Sequence, residues 1–145
     1  MAHYAKIGLN NEVIDMVAVD NIKCMTAGGI EREEIGCEYL KNMTGHQVWI
    51  KCSYNTISGE HINGGTPFRG TYPSIGYFYN AEHDIFHLPR PIDLNGNPCN
   101  SWTLNITTGQ WECPLGDAPY DNNSSYLWDE TVYQSDNTQG WIKQN

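Results

Sequence analysis

Apolar and polar residues alternate over much of this chain, and glycine, proline and asparagine interrupt the alternation at intervals. A period of two is typical of half-buried β-strands, and the interrupting residues are typical of turns. Residues 3–20 predict a β-hairpin that turns at Asn10-Asn11, because asparagine tolerates a positive φ and the second arm is rich in valine and isoleucine. Residues 49–54 alternate again and predict another strand.

Residues 30–43 depart from this alternation and predict the only helix of the chain. Ile35 and Tyr39 lie four positions apart and would share one helix face. Glutamates crowd the first turn and a lysine lies in the last, an order that suits the helix dipole, and Gly45 is a suitable stop. Gly36 opposes the prediction, since glycine in a helix interior costs about 1 kcal/mol relative to alanine.

The segment 55–76 is rich in glycine and shows no clear period. Long loops of this kind are usually functional or mobile. We therefore predict that it is a contact loop, with His61, Phe68 and Arg69 as interaction residues.

The rest of the chain repeats one short pattern three times. In each copy a strand with aromatic residues reaches Asn80, Asn105 or Asp129, which lie 25 and 24 residues apart, and returns through another aromatic residue. A fixed short period indicates a repeated supersecondary unit, here an aromatic β-hairpin with cross-strand pairs of about 0.2–1 kcal/mol each. Six additional residues before Trp141 in the third copy predict a longer loop over 133–140.

Isolated hairpins are marginally stable in water, so the three hairpins must pack on one another, on the N-terminal part or on a partner. Pro89 and Pro114 follow the returning strands and would limit edge pairing. We therefore add Trp128, Tyr133 and Trp141 of the third hairpin to the predicted interaction residues.

These elements predict a mainly β (α+β) fold. An N-terminal hairpin-helix-strand unit would occupy 1–54, a Gly-rich loop 55–76, and three repeated antiparallel aromatic β-hairpins 77–145. At 145 residues the chain supports one domain, or two small ones that share a core.

The charge of the chain argues against several classes of partner. The net charge is −9 and only eight basic residues are present, so binding to nucleic acid or to an anionic membrane is not expected. No apolar run is long enough to span a membrane, and the first residues lack the features of a secretory signal, so we expect no export.

Five cysteines at irregular spacing, without a CxxC pair, fit neither a disulfide framework nor a zinc site. Cys99 and Cys113 flank the second hairpin and could be bonded across it, or all five could be free thiols in a reducing cytoplasm.

No sequence motif indicates a reaction. GxSxG, HExxH, P-loop and GxGxxG patterns are lacking, so we predict no enzyme, no catalytic residue, no cofactor and no metal site. The stretch 93–97 fits a plain turn, although it also resembles a short calcium loop without the trailing glutamate. Tryptophans of the repeats could stack on sugars if they faced solvent.

Resemblance to a known family is carried by stretches along nearly the whole chain: Met1-Ala2-His3-Tyr4-Ala5-Lys6-Ile7, Asn10-Asn11-Glu12-Val13, Ser53-Tyr54-Asn55-Thr56, Gly64-Gly65-Thr66-Pro67-Phe68-Arg69, Ile75-Gly76-Tyr77-Phe78-Tyr79-Asn80, Pro89-Arg90-Pro91, Ser101-Trp102-Thr103-Leu104-Asn105, Trp111-Glu112-Cys113-Pro114 and Tyr126-Leu127-Trp128-Asp129-Glu130. In combination they resemble a family of small uncharacterised proteins of marine cyanophages and related tailed marine phages. The insertion before Trp141 departs from that pattern. The resemblance implies a phage origin and synthesis in the host bacterial cytoplasm, but it carries no activity.

Three functions remain in view. The first is a phage virion structural protein: a small β-rich accessory module docked on capsid, neck or tail, with other phage structural proteins as partners, in multiple copies or as a homo-oligomer. The second is a soluble phage interaction protein, such as a tail-fibre assembly helper or a host-protein modulator. The third is a carbohydrate-binding module.

Overall fold

The computed structural model describes residues 1–145 and consists mostly of β-structure, with eleven strands in small antiparallel sheets. This confirms the predicted β-rich fold class. Neither helix is long and apolar enough to cross a membrane. The strands are β1 (Ala2–Ile7), β2 (Val13–Val19), β3 (Trp49–Cys52), β4 (Thr56–Ile57), β5 (Glu60–His61), β6 (Phe78–Asn80), β7 (Ile85–His87), β8 (Thr103–Leu104), β9 (Trp111–Glu112), β10 (Ser125–Trp128) and β11 (Trp141–Gln144), and the helices are α1 (Glu33–Thr44) and α2 (Glu130–Ser135).

The chain divides into two compact units. Unit 1 comprises Met1–Pro89 and Ile106–Gln110, and unit 2 comprises Arg90–Asn105 and Trp111–Asn145. The sequence prediction draws its boundaries after residues 54 and 76 instead. In the structure, the first of the three repeated hairpins, β6–β7, belongs to unit 1.

Unit 1 is organised by an antiparallel sheet with the strand order β2-β1-β3. The predicted N-terminal hairpin is confirmed, and Asn10 and Asn11 adopt the positive φ values of 57° and 61° that the tight turn requires. Tyr4, in the central strand, is fully buried and packs in a cluster with Trp49 and Leu40 of α1. The sheet therefore buries one face against the helix.

Helix α1 starts three residues later than predicted, at Glu33, because Glu31 pairs with Met25 in an isolated β-bridge. It ends at the predicted stop, Gly45, whose φ of 76° is left-handed. Gly36 is the point of closest approach to the sheet, since a side chain there would overlap the Tyr4 ring. The glycine that weakens the helix in isolation thus allows it to pack.

A second cluster in unit 1 joins the sheet to the first hairpin. Phe86 of β7 is fully buried against Ile7, Val13 and Cys52. Tyr79 lies directly opposite Phe86 across β6–β7, at a centroid distance of 5.3 Å. This aromatic hairpin is therefore stabilised by the N-terminal sheet, which is one of the arrangements expected from the sequence.

All three repeated hairpins form. The residue before each turn position pairs with the returning aromatic residue, Tyr79 with Phe86, Leu104 with Trp111, and Trp128 with Trp141. The prediction that the chain has only one helix is wrong, and the predicted loop over 133–140 is confirmed for residues 136–140 but not for 133–135, which belong to α2. Asp129 caps α2 by accepting a hydrogen bond from the backbone N–H of Val132 (3.1 Å), so the first part of the connection between β10 and β11 is helical.

Candidate interaction surface

The Gly-rich segment 55–76 is not a plain loop, because β4 and β5 form a short hairpin within it. Ser58 and Gly59 connect the strands, and both have positive φ (48° and 81°), as in the turns that match the twist of two-residue hairpins. Thr56 pairs with His61. The sequence carries Ser-Gly at this turn, but the strands are too short to show an alternating pattern.

Hydrogen bonds within unit 1 fix the base of this hairpin. Thr56 is fully buried, its hydroxyl oxygen accepts from the backbone N–H of Phe68 (2.9 Å), and its carbonyl accepts from the N–H of Tyr72 (2.8 Å). The N–H of Ser58 donates to the hydroxyl oxygen of Thr71 (3.1 Å). The hairpin is therefore held in one position before it meets any partner.

The outer face of this ribbon is open to solvent and carries two isoleucines together with Glu60, the direct partner of Ile57. Side chains alternate between faces along a strand, so the partners Thr56 and His61 lie on the inner face and Ile57 on the outer. Ile62 follows His61, bonds through its N–H to the carbonyl of Asn55 (2.8 Å), and continues the outer face. Ile57 is 55% exposed and Ile62 59%. We call Ile57 and Ile62 the hairpin face.

His61, a predicted interaction residue, is half-buried and takes part in the turn that follows β5. Its Nδ1 accepts a hydrogen bond from the backbone N–H of Asn63 (3.1 Å). A side chain at Gly65 would lie only 3.1 Å from the imidazole ring. The structure therefore gives His61 a local packing role beneath the hairpin face.

Arg69, another predicted interaction residue, is engaged inside unit 1. Its Nη1 donates to both carboxylate oxygens of Glu33 (2.9 and 2.7 Å) and to the carbonyl of Lys51 (2.9 Å). Its Nε lies 2.8 Å from Oδ1 of Asp84, an ion pair that lacks hydrogen-bond geometry. The guanidinium lies 4.8 Å from the ring centroid of the half-buried Phe68. Arg69 thus joins the start of α1 to the turn of the β6–β7 hairpin.

Electrostatics around Arg69 follow from this arrangement. Burial alone would lower the pKa of Arg69, but its hydrogen bonds and charge pairing with Glu33 raise the pKa overall. Burial, followed by the hydrogen bond to Asp84, raises the pKa of Tyr79 to about 12. Near neutral pH the guanidinium of Arg69 is therefore charged and the hydroxyl of Tyr79 is neutral.

The predicted interaction residues of the third hairpin form an internal aromatic cluster in unit 2. Trp128 is 4% exposed, and its ring lies 5.2 Å from Trp141, 5.7 Å from Trp102 and 5.4 Å from Tyr133. Trp141 is half-buried and donates its indole N–H to the carbonyl of Gly116 (3.1 Å). These rings are packed on one another, so they do not offer an open stacking platform.

A buried carboxylate, Glu130, organises this cluster and was missed by the sequence reasoning. It accepts hydrogen bonds from the indole of Trp128 (2.9 Å), the N–H and hydroxyl of Ser101 (3.0 and 2.7 Å) and the amide of Gln134 (2.7 Å). Burial favours the protonated form, but the donors dominate and lower its pKa. No signal in the sequence separates Glu130 from a helix-start glutamate.

Asp93 is the centre of the stretch 93–97, which sequence alone leaves open between a turn and a calcium loop. Its Oδ1 accepts from the backbone N–H of Asn95 (2.9 Å) and Asn97 (2.8 Å), and its Oδ2 accepts from the N–H of Glu130 (2.9 Å). Burial opposes the charge, yet these bonds lower the pKa of Asp93. One carboxylate oxygen thus organises the turn, and the other binds the backbone N–H at the start of α2.

All five cysteines are free thiols, Cys99 and Cys113 included. Burial raises the pKa of Cys52 to about 12 and that of Cys37 to about 11. Since the thiolate is the reactive form, these groups are poor nucleophiles near neutral pH.

No group of three or more His, Cys, Asp or Glu side chains is placed to hold a metal ion. Comparisons with protein-family models, with curated proteins and with solved structures found no match. We therefore choose the candidate site from the chain's own geometry: the hairpin face is the pair of exposed apolar side chains that a hairpin holds within the predicted contact segment.

Proposed function

We propose that this protein is a phage virion structural protein, a small accessory module that docks on the capsid, neck or tail through the hairpin face. One observation carries the proposal: Ile57 and Ile62 are both exposed on the outer face of a hairpin whose inner face is anchored by buried Thr56. A rigid apolar element loses little conformational entropy on binding, so more of its burial energy remains as affinity. The phage resemblance of the sequence supports the choice of partner.

The affinity that the hairpin face adds to docking can be calculated from the exposed fraction of its two isoleucines. Full burial of an isoleucine contributes about 1.5–3 kcal/mol. Ile57 and Ile62 still have 55% and 59% of their surface to bury, so docking would gain about 1–2 kcal/mol from each. Replacing both with serine should therefore weaken docking roughly 30-fold or more.

Mass spectrometry of purified virions tests the proposal. We expect the wild-type chain in particles and a strong reduction of the Ile57→Ser/Ile62→Ser variant. Ile75→Ser is a matched control, because Ile75 is 65% exposed and belongs to the same unit but lies outside the hairpin. Complete absence of the wild-type chain from particles, while it is abundant in infected cells, would reject the virion role and favour the soluble interaction protein. Equal incorporation of all variants would reject the hairpin face as the docking element.

A further inference from the structure

A cavity of about 320 Å³ lies in unit 1, at the end of the three-stranded sheet. It forms where the start of β1 meets the end of β3, since His3 pairs with Cys52 there. The residues that line it include His3, Tyr54, Phe68, Asn21 and Asn55. Small-molecule sites span roughly 300–1,000 Å³, so this cavity suits a small ligand.

The aromatic part of the wall is fixed by contacts among the rings. His3 lies 4.8 Å from Tyr54 at an interplanar angle of 58° and 5.9 Å from Tyr72 at 86°. Tyr54 nevertheless keeps 53% of its surface exposed. A held but open ring is a preorganised stacking surface, and its negative face attracts the weakly positive C–H groups on one face of a sugar ring.

The polar residues of the wall have unused hydrogen-bonding capacity. Asn21, Asn55, Tyr54 and His3 line the cavity, and no hydrogen bond within the protein uses their side-chain amide, hydroxyl or imidazole groups. Amides and hydroxyls both donate and accept. A ligand with several hydroxyl groups would match this set, whereas an apolar ligand would leave it unpaired.

The charged side chains around the cavity pair with one another, and the N-terminal amine of Met1 is the remaining charge beside it. Nζ of Lys51 lies 2.7 Å from Oε1 of Glu31, so the cation and the anion satisfy each other. Burial, with a smaller contribution from the N-terminal amine, lowers the pKa of His3, which keeps its ring neutral near pH 7. A charged ligand that bound Lys51 or Glu31 would have to break this ion pair, so these two side chains do not select a charged ligand.

We propose that this cavity binds a neutral saccharide, with a ring face on Tyr54 and hydroxyl groups on Asn21, Asn55 and His3. This site differs from the tryptophan platform suggested by the sequence, whose rings are packed together in unit 2. It does not depend on the virion role. The purified chain should bind sugars whether or not it docks on a particle.

Two-dimensional NMR of the isotope-labelled chain tests the site, with glucose, galactose, N-acetylglucosamine, maltose and lactose as probes. We expect saturable millimolar shifts at His3, Tyr54 and Asn55 with at least one probe. Tyr54→Ala should weaken that binding roughly tenfold. Asn21→Ala, at an exposed position, is a second variant that should also weaken it without affecting folding. Tyr120→Ala is the matched control, since Tyr120 is 90% exposed and lies in unit 2.

Three results would overturn the saccharide site. The first is the lack of shifts with every neutral sugar. The second is unchanged binding in both Tyr54→Ala and Asn21→Ala. The third is binding of glucose 6-phosphate or inorganic phosphate at these residues when the neutral sugars do not bind, which would replace the neutral ligand by an anion.

Discussion

Gly36→Ala gives a sharp test of how α1 packs on the sheet. In an isolated helix this change would be stabilising by about 1 kcal/mol. In unit 1, however, the added methyl group would overlap the hydroxyl and Cζ of Tyr4 and would lie 3.0 Å from Sγ of Cys24. Tyr4 is fully buried, so its ring cannot turn into solvent to make room.

The cost of overpacking in the Gly36→Ala variant can be compared with the gain in helix propensity. Overpacking of a dense core costs about 1–3 kcal/mol, and overlap with two atoms of a confined ring places this site at the upper end. Subtracting the helix gain of about 1 kcal/mol leaves a net loss of about 2 kcal/mol. For a chain of this size such a loss lowers Tm by about 4–8 °C.

Urea and thermal unfolding followed by circular dichroism would measure the change. Asn42→Ala, on the exposed face of α1, is the control and should raise stability slightly. Tyr4→Phe should leave stability nearly unchanged or increase it, because the Tyr4 hydroxyl is buried without a hydrogen-bond partner, and it should partly rescue Gly36→Ala. A Gly36→Ala variant that is more stable than wild type by about 1 kcal/mol would refute the packing described here.

Three further predictions concern charge and reactivity. The pKa of Glu130 is lowered in the folded protein, so its ionised form stabilises the fold above the unfolded pKa of about 4.3, and this stabilisation is lost as the pH falls through the folded pKa. Glu130→Gln should therefore reduce the loss of stability at acid pH, measured by tryptophan fluorescence; an unchanged pH profile would contradict this. Arg69→Met should lower the free energy of unfolding in urea by about 1.5–3 kcal/mol, because it removes the hydrogen bonds to Glu33. Arg32→Met, which removes an exposed ion pair with Glu34 at 3.9 Å, should change that free energy by no more than about 0.5 kcal/mol; equal effects of the two variants would count against a stabilising role of Arg69. Cys52 should resist iodoacetamide near pH 8 until the chain unfolds, since burial raises its pKa to about 12, and rapid labelling of the native chain would show that this thiol is accessible.

The sequence was informative where structure depends on neighbours in the chain. Alternation and turn chemistry predict the N-terminal hairpin, and the repeated aromatic pattern predicts the pairing of Tyr79 with Phe86 and of Trp128 with Trp141. Helix α2 escaped prediction because it has only six residues, two of them β-branched, and its stability derives from the cap at Asp129.

The site was less predictable, because its key contacts join distant positions. The sequence suggested Arg69 as a contact residue, but its guanidinium forms an ion pair with Glu33, which lies 36 positions away in the chain. Glu130 likewise bonds to Ser101, 29 positions earlier. Conversely, the exposure of Ile57 follows from pairing within a hairpin too short to leave a periodic signal. Local pattern cannot supply such long-range pairs.

Photo-crosslinking in assembled particles tests the docking role most directly. A photoreactive phenylalanine derivative would replace Ile57 in one sample and Ile75 in the other, and purified virions would be irradiated and analysed by mass spectrometry. We expect a covalent adduct with one virion structural protein from position 57 and little or none from position 75. Particles that contain the chain but give no adduct from position 57, or the same adduct from both positions, would show that the hairpin face does not dock on the virion.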